Sequence, residues 1–144
     1  MRRERSFSSA TSEPPDASRY PLTTMTMVPT LPTRESLTVE FKSDRACLSD
    51  GDLVEALVCL ANAEGGELWL GVEDDGTPTG LHVQHRTLGG LAGLLAARTS
   101  PSLAVVGTAV GLNGLPVAHI AVPKVQGEAA TTGGVYLRRR LKAD

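Results

Sequence analysis

Within ESLTVEFKSD, residues 35–44, two glutamates stand five apart around an apolar, β-branched stretch, and Lys42 follows Glu40-Phe41. Three chemistries fit that pattern. Glu35 and Glu40 are a candidate catalytic carboxylate pair, and Lys42 is a candidate contact to nucleic acid. The plainer alternative is a polar strand face on which Glu40 and Lys42 pair, contributing under about 1 kcal/mol. A second basic group, Arg138-Arg139-Arg140 with Lys142, offers contacts to a phosphate backbone. On a strand these residues alternate faces, so two or three at most reach one ligand.

Other constellations are weaker. Ser36 and Ser43 have no His-Asp partner at a recognisable spacing, so nucleophilic hydrolysis through serine has no support. Cys47 and Cys59 lie twelve apart without a Cys-x-x-Cys pair. They read as two small buried thiols, a usage that fits a reducing cytoplasm. His82 and His85 read as a surface pair beside a turn. No Gly-x-x-x-x-Gly-Lys-Ser/Thr occurs, and no Gly-x-Gly-x-x-Gly follows a strand, so a nucleotide phosphate cradle has no basis in the sequence. Trp69 and Tyr136 are too few for a stacking platform on single strands.

The 144 residues bound the rest. They allow one domain with a real core, and no run of eighteen apolar residues is present to span a bilayer. Residues 1–32 are rich in Ser, Thr, Pro and Arg and lack the apolar block of a secretory signal, so they read as a disordered tail before a domain over 33–144. Met25 and Met27 are alternative starts. Residues 1–30 hold four of the 14 basic and three of the 16 acidic residues, which leaves a mildly acidic domain whose contacts to phosphate rest on local patches.

The elements that position these groups follow from periodicity. LTVEFKS alternates, with Leu37, Val39 and Phe41 on one side and Thr38, Glu40 and Lys42 on the other, as in a half-buried strand. By that parity a regular strand points Glu35 away from Glu40, so Glu35 meets Glu40 only from a turn or bulge. SDGDLVEALVCLANAEGG predicts a helix capped by Ser49 or Asp50 and stopped by Gly65-Gly66, with Asn62 structural at its end. ELWLGV predicts a central strand, EDDGTPTGL a reversal, and TLGGLAGLLAARTSP a second helix ending at Pro101. LAVVGTAVGLNGLPVAHIAVP reads as two strands across GLNG, and GVYLRRR as a last strand. The order predicts an α+β fold, a mostly antiparallel sheet with two helices packed on it.

Taken in order, ESLTVEFKS, ALVCLANAEGGELWLGVEDDGTPTGL, SPSL and VYLRR resemble the Schlafen AlbA_2 domain over about residues 33–140. The resemblance implies an Alba-like core and a role with nucleic acid. Many bacterial members are described as DNA-binding or transcriptional regulatory proteins, and some carry an ATP-binding label. Schlafen nucleases cleave structured RNA with three carboxylates in this module, and the residues here that match them are Glu35, Glu40 and Asp74. Three converging carboxylates repel one another, so a nuclease reading implies Mg²⁺ or Mn²⁺ held by Glu35, Glu40 and Asp74. The expected partner is DNA or RNA, bound by a monomer or homodimer. A metal-dependent endoribonuclease and a protein-interaction or dimerisation module are the alternatives.

Overall fold

Ser49 opens the first helix as its residue type predicts: its hydroxyl accepts the Asp52 N–H at 3.1 Å. Helix α1 runs Asp50–Asn62 and carries Asp50 and Asp52 in its first turn, beside the positive end of the helix dipole. The structure, a computed structural model, describes residues 28–86 and 90–132. Most of the expected tail and the strand expected over GVYLRRR lie outside the described residues.

Strands β1 (Val39–Lys42) and β2 (Gly66–Leu70) flank α1 and pair in parallel, with Val39 opposite Glu67 and Lys42 opposite Leu70. A tight excursion over residues 71–80 leads to a 3-10 turn (Val83–His85), helix α2 (Leu91–Arg98) and the two-residue strand β3 (Thr99–Ser100). The hairpin β4 (Val106–Leu112) and β5 (Leu115–Val122) follows, then β6 (Ala130–Thr131). The main sheet has the order β1-β2-β5-β4, with β5 antiparallel to both neighbours, and β3 and β6 form a separate antiparallel pair. The fold is α+β with a mostly antiparallel sheet and two helices, as expected.

The strand β2 is apolar on both faces because both are covered. Leu68 and Leu70, with Ala118, Ile120 and Val122 of β5, pack against Leu53, Val54, Leu57 and Leu60 of α1 and Leu95 of α2. On the opposite face Trp69 joins Val39, Phe41, Val110 and Val117, and Leu31 packs against this smaller cluster. Trp69 donates its indole N–H to Glu67 Oε1 at 2.7 Å and meets the His119 ring edge-on at 4.8 Å.

Helix α2 is shorter than the periodicity suggests. It starts at Leu91, has no side-chain cap, and stops at Arg98, before Pro101. The physical reason lies in Thr99, whose buried hydroxyl donates to the Leu95 carbonyl and accepts the Leu103 N–H at 2.8 Å, turning the chain out of the helix. The GLNG reversal is as expected: Asn113 and Gly114 both take positive φ, 52° and 79°, as a two-residue hairpin turn requires. At the end of α1, buried Asn62 donates to the Ala129 carbonyl at 2.8 Å and accepts the Ala129 N–H at 2.6 Å, imitating a strand pairing 67 residues along the chain.

Gly65 and Gly66 do more than stop α1. Gly65, at φ +72°, donates its N–H to the Leu60 carbonyl at 2.8 Å and closes the helix end. A Cβ on Gly66 would lie 2.1 Å from the Thr38 carbonyl oxygen, so β2 can lie flush along the chain entering β1 only with glycine there. We expect Gly66→Ala to lower the unfolding free energy by about 3 kcal/mol or more, read from urea midpoints. Gly51→Ala, in α1 with nothing within 4 Å of the added carbon, should be neutral or stabilising by up to about 1 kcal/mol. Equal effects of the two substitutions would contradict the close approach.

Candidate functional site

The chain reaches β1 through a tight reversal. Ser36 and Val39 exchange backbone hydrogen bonds at 3.0 and 3.3 Å, so the residues before Ser36 fold back along the outer edge of the strand. Glu35 therefore sits in a turn, the placement that parity demands if it is to approach Glu40. Its carboxylate is aimed at the strand edge: Oε1 accepts the Phe41 N–H at 3.1 Å. The backbone at Thr38 and Lys42 faces β2, accepting the amides of Glu67 and Gly71 at 2.8 Å each, so the Phe41 amide faces outward and Glu35 satisfies it.

Glu40 and Lys42 project from the other face, toward α1. Strand alternation puts Val39 and Phe41 in the smaller core and leaves Glu40 and Lys42 lining a groove of about 290 Å³ with Leu48, Asp52, Glu55 and Cys59. Lys42 Nζ lies 3.4 Å from Glu40 Oε2. The same-face ion pair is thus present, and among the described residues lining the groove Lys42 stands with the carboxylates of Glu40, Asp52 and Glu55. Arg138, Arg139, Arg140 and Lys142 lie outside the described residues.

Asp74 stands on the 71–80 excursion, exposed. Its neighbours make the reversal: Gly76 N–H donates to the Glu73 carbonyl at 2.8 Å, and Asp75 Oδ1 accepts the Thr77 N–H at 2.9 Å. A Cβ on Gly76 would lie 3.7 Å from Phe41 Cε2 and 3.2 Å from the Thr33 carbonyl oxygen, which places this turn on the Phe41 side of the sheet, opposite Glu40. Glu35, Glu40 and Asp74 are therefore directed to an edge, one face and a turn beside the other face. They do not form a set of ligand atoms within 4.8 Å of one another, and among the described residues the set that does is Asp44, Cys47 and His85. This arrangement of three carboxylates does not fit Mg²⁺ or Mn²⁺, whose bonds to oxygen are short.

Sequence spacing misses Asp44. Its carboxylate is fully buried and takes the Leu48 and His82 amides at 2.8 Å each, together with His85 Nδ1 at 2.8 Å. His82 and His85 are accordingly not a simple surface pair. His82 caps the 3-10 turn by accepting the Gln84 N–H at 3.2 Å, and His85 is tied to Asp44. Both cysteines are partly exposed rather than buried, because Cys47 stands in the loop before α1 and Cys59 opens onto the Glu40 groove. A polar residue followed by a partner about forty positions later leaves no local signal.

Within the turn the carboxyls of Asp75, hydrogen-bonded by Thr77, and of Glu73 are both held below their ordinary pKa values. The Thr79 hydroxyl, then that of Ser43, hydrogen-bond the Glu73 carboxylate and hold its pKa below the ordinary glutamate value, with Arg45 adding a smaller attraction. A depressed carboxyl stabilises the fold at neutral pH, and that contribution is lost as pH falls through the lowered pKa. We expect Thr79→Val to move the Glu73 titration upward, as followed by carboxyl-carbon NMR. An unmoved titration would assign the shift elsewhere.

Comparison with known proteins places this geometry. No curated protein matches the chain. In fold it is similar to the DIP2311 protein of Corynebacterium diphtheriae, with TM-score 0.56 and 22% identity over 72% of this chain and 21% of that one. It is also similar to the N-terminal domain of an ATP-dependent DNA helicase RecG-related protein of Nitrosomonas europaea, with TM-score 0.54 and 23% identity over 76% of this chain and 82% of that one. The chain thus spans about a fifth of the Corynebacterium protein. Among the described residues no helix is long and apolar enough to cross a membrane. The model of the Schlafen, AlbA_2 family matches residues 35–143, from the Glu35 reversal through the basic run, and the chain belongs to that family.

Proposed function

We propose that this chain is a nucleic-acid-binding module, with DNA as its ligand, serving a transcriptional regulator in a reducing cytoplasm. The observation that carries the reading is the extent of the family match, which takes in both the Glu40-Lys42 strand and Arg138-Arg139-Arg140 with Lys142. Similarity in fold to the N-terminal domain of a DNA helicase RecG-related protein fits DNA as the ligand. Among the described residues the groove beside β1 is lined by more carboxylates than amines, and in this reading the basic run supplies the backbone contacts. Glu35 and Glu40 then serve the strand rather than a reaction: one satisfies an edge amide and the other neutralises Lys42.

The test is a mobility-shift assay with labelled duplex DNA and tRNA, with Mg²⁺, Mn²⁺ or chelator. A salt-sensitive shift without cleavage is expected, little changed by Glu40→Gln. The double variant Arg138→Ala/Arg140→Ala should flatten the logarithmic salt dependence by about 2, near one unit per lost phosphate contact. Absence of any shift at low salt overturns the proposal in favour of a protein-interaction or dimerisation module. Metal-dependent cleavage abolished by Glu40→Gln would overturn it in favour of an endoribonuclease built on Glu35, Glu40 and Asp74.

A further inference from the structure

The nucleic-acid reading leaves unused the polar cluster at the end of β1. Asp44 is 0% exposed, and its oxygens are occupied by the Leu48 and His82 amides and by His85 Nδ1, 2.9 Å from Oδ1 and 2.8 Å from Oδ2. Such a carboxylate is a fixed acceptor. Nδ1 of His85 is engaged with Asp44, and the other ring nitrogen, Nε2, lies 4.0 Å from Cys47 Sγ. The thiol also lies 3.4 Å from Gln84 Oε1, which accepts its proton in a hydrogen bond.

Cys47 is held in an uncommon backbone state. Its φ is 59°, in the left-handed region that disfavours a residue with a Cβ, and its N–H donates to the Asp44 carbonyl at 3.1 Å. The loop thus fixes the thiol against the imidazole from the backbone upward, and the side chain stays partly exposed. His85 also lines a cavity of about 300 Å³ whose walls include Leu53, Leu70, Leu91, Leu94 and Ile120. The imidazole therefore stands between a thiol and an apolar chamber.

We propose that Cys47 is a nucleophile that accepts an apolar acyl group from an activated ester or thioester, with His85 as its general base and Asp44 as the positioning residue. Nε2 takes the thiol proton while a sulfur electron pair forms the bond to the carbonyl carbon. Collapse of the tetrahedral adduct breaks the bond to the leaving oxygen or sulfur, which receives that proton from Nε2. Water, giving a proton to the same nitrogen, then attacks the acyl-cysteine; the acid leaves and the thiol is restored. Asp44 holds the imidazole in the tautomer this requires. A metal is the poorer occupant: with the Asp44 oxygens taken by three donors, the thiol and one imidazole nitrogen are what remains of this set among the described residues, and zinc sites use three or more ligands from the protein.

The test uses the intact chain and p-nitrophenyl butyrate, reading p-nitrophenol release and the mass of each cysteine peptide. One butyryl group on Cys47 is expected, and Cys59, also partly exposed, is the internal control. His85→Ala should slow acylation about a hundredfold, a typical share for a general base, and free imidazole should restore part of the rate. In Asp44→Asn the maximal rate should fall while the half-saturating ester concentration stays unchanged. Since a buried aspartate can be needed for folding, the His85 and Cys47 variants, at partly exposed positions, decide the matter. Equal acylation of Cys47 and Cys59, a full rate in His85→Ala, or no rescue by imidazole would each overturn the proposal. Nucleic-acid binding should be unchanged in Cys47→Ser, which separates this site from the function proposed above.

Discussion

The contact on which the rest depends is the approach of Gly66 to the Thr38 carbonyl. Where an added Cβ would be only 2.1 Å from that oxygen, β2 begins its parallel pairing with β1, and Glu67 donates its amide to the same carbonyl at 2.8 Å. The register set there decides that Val39 and Phe41 enter one core and that Glu40 and Lys42 face α1. It also delivers the chain after Lys42 to the corner where Asp44 is buried. A single position without a side chain thus sets the orientation of every candidate group on β1.

Alternation along that strand explains the fate of the acidic residues. A four-residue strand has two faces and an edge, and Glu35 and Glu40 are divided between the edge and one face, while Asp74 rides on a turn at the other. Each carboxylate meets a local demand: an outward amide for Glu35, an ammonium for Glu40, hydroxyl groups for Glu73 and a histidine for Asp44. Gathering several of them around one cation would require those local partners to be given up, and exposed ion pairs are weak enough to release while buried ones are not. By that measure Asp44, fully buried, is the least able to change partners.

Features decided within a few residues were legible in the sequence. The Ser49 cap, the Gly65-Gly66 stop, the Asp75-Gly76 reversal and the Asn113-Gly114 hairpin each follow from the backbone freedom or short polar side chain of the residues concerned. The apolar run at β2 announced a strand covered on both faces, and it is. Features decided by chain closure were not legible. The Cys47, His85 and Asp44 side chains meet across 38 and 41 residues, and Asn62 grips Ala129 across 67, so neither spacing nor periodicity carries them. The Glu35 side chain falls between these cases: its turn is a local matter, yet its choice of the Phe41 amide over a second carboxylate depends on which way the outer edge of β1 faces.

That edge has a bearing on how the molecule avoids joining its neighbours. A strand at the border of a sheet offers unpaired amides and carbonyls to any passing chain, and proteins guard such borders with short strands, charges and folded-over segments. Among the described residues β1 is such a border; it has only four residues, its chain doubles back at Ser36, and a carboxylate occupies the Phe41 amide, so all three defences coincide there. Among the described residues the opposite border is β4, seven residues long, with Val106 65% exposed. Among the described residues the two borders therefore differ: the chain folds back on the side bearing Glu35, and the longer strand with exposed Val106 forms the other.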